Sequence, residues 1–239
     1  MIWLTFISLL VLYVLYHKYG WRHPLFLQSQ KKILLVIAHP DDEVMFFGPT
    51  LCAIKRLKIP LKVLCLSNGN ADAMGKIREI ELKASLENLG ISDFSLVNDT
   101  SIQDGFVSWD PALISSYIHK YSLGVSSILT FDDYGISGHP NHISLNHGLV
   151  LFLKQNTKIK GYSLKSISLI RKFTFVIDII PTILLNMLNS DVSTITASFT
   201  EYFRVRNSML LHQSQMLWFR HFYIMLSRYM LINDWEEVQ

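Results

Sequence analysis

Along residues 33–154, short apolar runs alternate with longer segments whose apolar positions recur every three or four residues. The run 33–38 (ILLVIA) has no polar position on either face, as expected of a strand buried on both sides of a parallel sheet. A helix is expected over 43–57, a second strand over 61–66 (LKVLCL), and an amphipathic helix over 76–89 that Gly90 stops. Residues 94–97 are a short strand candidate. Asp110 as N-cap and Pro111 at the first helical position open a helix over 111–121. A strand over 126–131 (SSILTF) and a helix over 141–154 follow. This alternation predicts an α/β fold: a Rossmann-like, doubly wound, mostly parallel sheet with helices on both faces. Such folds bind ligands beyond the carboxyl ends of their strands.

The N-terminal pattern is different. Residues 1–16 carry no charge, and only Thr5 and Ser8 interrupt the apolar run. As a helix it would span about 24 Å, against a hydrocarbon core of roughly 30 Å that is thinner in the endoplasmic reticulum. Tyr19 and Trp21 are placed to anchor at the interface. No basic segment precedes the run and no small-residue cleavage site follows it, which disfavours a signal peptide. The expectation is therefore a single transmembrane helix, with a buried core helix as the alternative. The chain divides into an anchor (1–17), a basic juxtamembrane linker (18–32) and a catalytic domain (33–239). Lys18, Arg22, Lys31 and Lys32 follow the run and the first acid is Asp41. That asymmetry puts the N-terminus in the lumen and the remainder in the cytosol.

Two later stretches are apolar but broken. Residues 173–188 contain Asp178, Pro181 and Asn186, which suits core or a segment on a membrane surface better than a span. Residues 215–232 read as one helix with Arg220, His221, Ser227, Arg228, Leu217 and Ile224 on a shared arc. Such a face fits anionic lipid, and equally a helix packed on a sheet.

Composition narrows the field. A chain of 239 residues suits one domain, and 50% hydrophobic with 17% charged residues excludes disorder. Two cysteines, Cys52 and Cys65, exclude a disulfide scaffold and agree with a reducing compartment. A net charge of +3 without a recognisable module argues against nucleic acid.

Chemistry concentrates at two strand ends. His39-Pro40-Asp41-Asp42-Glu43 follows the first strand, and Asp132-Asp133 leads into Gly138-His139-Pro140-Asn141-His142 after the strand at 126–131. If those strands are neighbours, histidines and carboxylates converge. Adjacent carboxylates repel unless a cation is present, and imidazole with carboxylate suits a divalent ion such as zinc. Three protein ligands would leave the open position a hydrolase needs. His147, five residues beyond His142, faces away on a helix and reads as a surface or structural residue.

The two clusters together resemble the paired signature of the LmbE-like, zinc-dependent de-N-acetylases, over nearly all of 33–150. Ser67 to Asp72, Arg78 to Leu82, His212 to Gln215 and Trp218 to Arg220 also fit. The tail segments and the N-terminal run make the chain similar to the family's membrane-bound branch. That resemblance implies a phosphatidylinositol glycolipid bearing N-acetylglucosamine as substrate, at the cytosolic face of the endoplasmic reticulum membrane. It further implies His39, Asp42 and His142 as ligands of Zn2+ or another divalent metal. Asp41 would be the general base, and His139 would stabilise the oxyanion or protonate the leaving amine. Asn68 and Arg78 are candidates for substrate contact, although an arginine beside Glu79 and Glu81 is usually a solvated face. Asp132 and Asp133 are candidates for holding a histidine ring in its tautomer. Many relatives carry Asp where this chain has Asn141, an exchange that bears on the protonation of His139.

Overall fold

The computed structural model describes residues 2–19, 24–29, 31–189 and 191–238. Its strands are β1 (Lys32–Ile37), β2 (Leu61–Cys65), β3 (Phe94–Leu96), β4 (Val125–Phe131), β5 (Lys160–Leu164), β6 (Ser193–Thr196) and β7 (Ile232–Val238). The first helices are α1 (Ile2–Tyr19), α2 (Leu25–Gln28), α3 (Asp42–Met45), α4 (Gly48–Arg56), α5 (Gly75–Leu89) and α6 (Pro111–Tyr121). After them come α7 (Gly135–Gly138), α8 (Pro140–Gln155), α9 (Leu169–Lys172), α10 (Ile179–Leu188), α11 (Phe199–Met209) and α12 (Trp218–Leu226).

All seven strands form one sheet in the order β3-β2-β1-β4-β5-β7-β6. Pairings from β3 through β5 are parallel, and β7 runs antiparallel to both β5 and β6. Ile33 to Ile37 are wholly buried, so β1 is covered on both faces as its unbroken apolar run requires. The strand order reverses between β1 and β4. The two motif-bearing turns therefore leave neighbouring strands at the point where such sheets open a crevice.

Several expectations change in detail. The helix expected over 43–57 is two, α3 and α4, because Pro49 lacks the N–H needed to continue a helix and instead starts the second one. The helix expected over 215–232 ends at Leu226, and Ile232 already belongs to β7. Its supposed basic and apolar face is not a face: Ile224 and Arg228 are buried, whereas Leu217 is exposed. The stretch 173–188 becomes a 3-10 turn (Phe175–Asp178) followed by α10. Asp178, the charge that made this segment a poor span, is buried between Arg171 and Arg228 at 2.8 and 2.7 Å.

The N-terminal run is helical, but no helix among the described residues is long and apolar enough to cross a membrane. Part of α1 is committed to protein contact. The Tyr13 hydroxyl donates to the carbonyls of Ala197 (2.5 Å) and Leu231 (3.1 Å), and His17 Nδ1 lies 3.0 Å from the Thr196 carbonyl. Within the segment expected as a linker, α2 buries Phe26 edge-on against Tyr162 and Trp235. Trp21 and Arg22, and the side chain of Tyr19, lie outside the described residues.

Candidate active site

The chain leaves β1 at Ile37 and turns so that Asp42 folds back on it. Asp42 Oδ2 accepts the backbone N–H groups of Ala38 (3.0 Å) and His39 (2.9 Å), while Oδ1 faces His142 Nε2 at 3.3 Å. His142 comes from the first turn of α8. Its Nδ1 lies 3.1 Å from the Gly135 carbonyl, and its ring stacks on Phe131 with centroids 4.0 Å apart and planes 2° apart. Gly135 has φ +65°, and a Cβ there would come within 2.8 Å of His142 Cβ, so only glycine lets the loop brace the ring this closely. His39 is held from the other side: its Nε2 lies 2.9 Å from Asn141 Oδ1 and 3.1 Å from Asp104 Oδ1. That leaves Nδ1 on the side of Asp42, 3.9 Å from Oδ2.

One ligand atom from each of His39, Asp42 and His142 lies within 4.8 Å of the others, and all three residues are buried. Two imidazoles and a carboxylate with their far sides already hydrogen-bonded fit a divalent ion, because outer partners fix the tautomers that present the free nitrogen lone pairs.

Asp41 has a different environment from its neighbour. It is a non-glycine residue at φ +105°, a backbone state that costs on the order of 1–3 kcal/mol unless its surroundings hold it. Its Oδ2 lies 3.4 Å from Arg220 Nη2 and 3.8 Å from Arg78 Nη2. Burial raises the Asp41 carboxyl above the usual aspartate value, and Arg220 and Arg78 offset this only in part. Burial pushes Asp42 the same way, but His142 and His39 hold it well below the usual range. The two adjacent carboxyls are thus driven apart, one poised to take a proton and one fixed as an anion.

Burial, and then the neighbouring His142 and His39, lower the His139 imidazole to about 4, so it is neutral at pH 7. Its Nδ1 accepts the Asn141 backbone N–H at 3.3 Å, which places the ring proton on Nε2. Asn141 therefore acts on His139 through its backbone, while its side-chain oxygen goes to His39 and its Nδ2 donates to the Val107 carbonyl at 2.7 Å.

Arg78 is buried, contrary to the solvated face its neighbours suggest. It donates to the carbonyls of Pro40 (2.7 Å) and Gly69 (2.9 Å) and to Asp104 Oδ2 (3.1 Å). Asn68 lies beside it, with Nδ2 donating to Glu79 at 2.9 Å and a buried, unpartnered Oδ1. Asp132 does not hold a histidine ring. Its carboxylate caps its own loop, accepting from Gly135 N (2.9 Å), Ser166 N (2.5 Å) and Ser166 Oγ (2.6 Å), and it reaches His142 only through the Gly135 carbonyl. Asp133 is exposed and holds no ring either, since the loop turns its side chain outward. His147 is exposed. Asp104, which touches both His39 and Arg78, is absent from the sequence expectations. Its only sequence signal is a turn-like Asp-Gly pair outside any strand end.

A Rossmann-like sheet whose switch point gathers a buried His–Asp–His set beside a second buried carboxylate fits a metal-dependent hydrolase. Residues 34–152 match the family described as PIG-L, GlcNAc-PI de-N-acetylase. A Schizosaccharomyces pombe protein named "Probable N-acetylglucosaminyl-phosphatidylinositol de-N-acetylase" is 40% identical over 213 residues, covering 85% of each chain. The Bos taurus N-acetylglucosaminyl-phosphatidylinositol de-N-acetylase is 37% identical over 211 residues, covering 85% of this chain and 82% of that one. Among solved structures, N,N'-diacetylchitobiose deacetylase from Pyrococcus horikoshii shares the fold at a TM-score of 0.62 and 13% identity, over 87% of this chain and 84% of that one. The chain belongs to the PIG-L family of de-N-acetylases.

Proposed function

We propose that this protein hydrolyses the acetamide of N-acetylglucosaminyl-phosphatidylinositol, giving acetate and glucosaminyl-phosphatidylinositol, the second step of glycosylphosphatidylinositol anchor synthesis. The observation that carries the chemistry is the convergence of His39, Asp42 and His142 beside Asp41. The substrate follows from the names of relatives that match along most of their length. Those three residues would hold a divalent ion, with zinc favoured by the donor set, and such an ion would supply Lewis acidity at the site.

The protein's own groups do the rest. Asp41 takes the proton of the attacking water, and its raised affinity for protons suits that task. Neutral His139 donates its Nε2 proton in a hydrogen bond to the carbonyl oxygen as negative charge develops there. Protonated Asp41 then returns its proton to the departing amine nitrogen. Arg78 stands 3.8 Å from Asp41 Oδ2, and Asn68 keeps a buried Oδ1 with no partner among the described residues; this reading assigns both to the substrate side of the catalytic turn.

The lipid portion needs a bilayer surface. On α12, Arg220 reaches Asp41 while Trp218, Phe222 and Met225 are exposed. On α10, Leu184, Met187 and Leu188 are exposed, and on α1 so are Ile7, Val11, Val14 and Leu15. This reading rests those faces on the cytosolic side of the endoplasmic reticulum membrane as an interfacial contact, with α1 lying against the bilayer rather than through it.

The test is acetate release from N-acetylglucosaminyl-phosphatidylinositol by detergent-solubilised protein, before and after chelation and return of zinc. Activity that disappears with the ion and returns with it supports the proposal. Metal-loaded protein that releases no acetate from this lipid, yet deacetylates a soluble N-acetylglucosaminide, contradicts the substrate assignment.

A further inference from the structure

Beneath the catalytic turn lies a buried polar cluster that the reaction as written does not use. Glu43 and His212 are both wholly buried although they are 169 residues apart in sequence. Glu43 Oε1 meets His212 Nε2 at 2.6 Å and accepts the Ser85 hydroxyl at 2.7 Å. Its other oxygen, Oε2, accepts the backbone N–H of Asp41 at 3.0 Å. Asp41 is the residue in the left-handed backbone state, φ +105°. A non-glycine residue keeps such a state only where neighbours over-determine it: the Asp41 carbonyl accepts from the N–H groups of Val44 (3.2 Å) and Met45 (2.9 Å), and its own N–H is tied to the buried Glu43 side chain.

The partners of Glu43 are themselves fixed. His212 leads into a 3-10 turn, Gln213–Gln215, in which Ser214 donates to Glu81 through both N (2.7 Å) and Oγ (2.6 Å). Glu81 and Ser85 stand one turn apart on α5, so the turn and the serine are clamped to the same helix. A carboxylate with two donors on one oxygen cannot rotate to release the other. The chain of contacts thus runs from α5 and the turn after α11, through Glu43, to the backbone of Asp41.

We propose that His212 is a positioning residue for the reaction, acting through Glu43 to hold Asp41 in the strained turn that aims its carboxylate into the site. The inference rests on the deacetylase reading of Asp41. It separates His212 from the metal: the ligands His39, Asp42 and His142 are braced by Asn141, Asp104, the Ala38 and His39 amides and Gly135, none of which touches His212. Loss of the His212 bond is therefore expected to lower turnover without lowering metal occupancy.

Two amide variants test this in the full-length protein. His212→Gln keeps an N–H donor with the reach to meet Glu43, and His212→Asn carries the same amide one methylene short. We expect His212→Gln to keep kcat within about fivefold of the natural protein and His212→Asn to lose at least tenfold. In both, KM, bound metal per chain and the electronic spectrum of the cobalt-substituted protein are expected to stay unchanged. Equal kcat in the two variants would overturn the proposal, whether both are active or both are impaired. So would a loss in His212→Asn that follows its metal content or alters the cobalt spectrum, because that marks general distortion of the ligands. Natural protein that is inactive on both the glycolipid and a soluble N-acetylglucosaminide while fully loaded with metal defeats the deacetylase reading instead, and is distinguished by being seen before any substitution.

Discussion

The buried charges around Asp178 and those around Asp42 are arranged in different ways. Around Asp178, two arginines and two aspartates close on each other. Arg228 Nε lies 2.7 Å from the Asp178 carboxylate, its Nη2 donates to Asp234 at 2.9 Å, and Arg171 grips Asp178 through two nitrogens at 2.8 Å each. Their charges cancel, and the cluster pins the segment around α10 to β7. Around Asp42 the balance is open. Hydrogen bonds occupy the outer atoms of His39, Asp42 and His142 and leave their inner atoms converging on one another. Burial of charge by itself therefore marks no active site. What sets His39, Asp42 and His142 apart is that their ligand atoms converge while their outer atoms are braced from behind.

The strongest way to break the comparison is to remove one member of each cluster. His142→Ala is expected to abolish stoichiometric metal binding and lower turnover by more than about 10³-fold, the scale of a lost Lewis acid, as read by metal analysis and acetate release. Its folding stability should change far less than its activity. Arg228→Leu should do the reverse. Leaving Asp178 and Asp234 without their buried partner is expected to cost about 3–5 kcal/mol in denaturant unfolding, with turnover per folded, metal-loaded molecule preserved. Comparable activity losses in both variants would erase the distinction.

A smaller effect probes the bracing. Asp104→Ala removes the carboxylate behind His39 and is expected to weaken metal affinity or turnover by about 10- to 100-fold, measurable by chelator competition. The pH profile sharpens the picture further. Asp41 must be ionised to accept a proton, and burial raises its pKa, so kcat/KM should climb as pH rises through a midpoint above the ordinary aspartate value of 3.8. His139, with a pKa of about 4, is already neutral above that value, so its titration should not produce a second inflection near pH 6.5.

Much of the cluster around Asp42 was legible in the sequence because its members sit in two short motifs at the ends of β1 and β4. Those strands pair directly, from Lys32 with Val125 onward. What escaped is the bracing set by tertiary approach. Asp104 belongs to a loop without periodicity, and Glu43 looked like one more acid of the motif until His212 arrived from the far end of the chain. The closing strands were missed for a related reason. Ser193–Thr196 has only four residues, and Ile232–Val238 carries Asn233, Asp234, Glu236 and Glu237, since both belong to the antiparallel side of the sheet rather than its doubly buried parallel centre. At the N-terminus, hydropathy saw an apolar helix but not the side that faces protein. Tyr13 and His17 gain their places only once Thr196 at the end of β6, Ala197 just after it and Leu231 just before β7 supply the carbonyls they meet.

In the proposed mechanism Asp41 and Asp42, adjacent in sequence, divide proton transfer and metal binding between them. The most direct measurement is bound metal per chain alongside turnover for Asp41→Asn and Asp42→Asn. Asp41→Asn should retain a full equivalent of metal and lose about 10²- to 10⁴-fold in kcat, the usual worth of a general base. Asp42→Asn should lose the metal itself. A metal-free Asp41→Asn beside a metal-loaded Asp42→Asn would contradict the account.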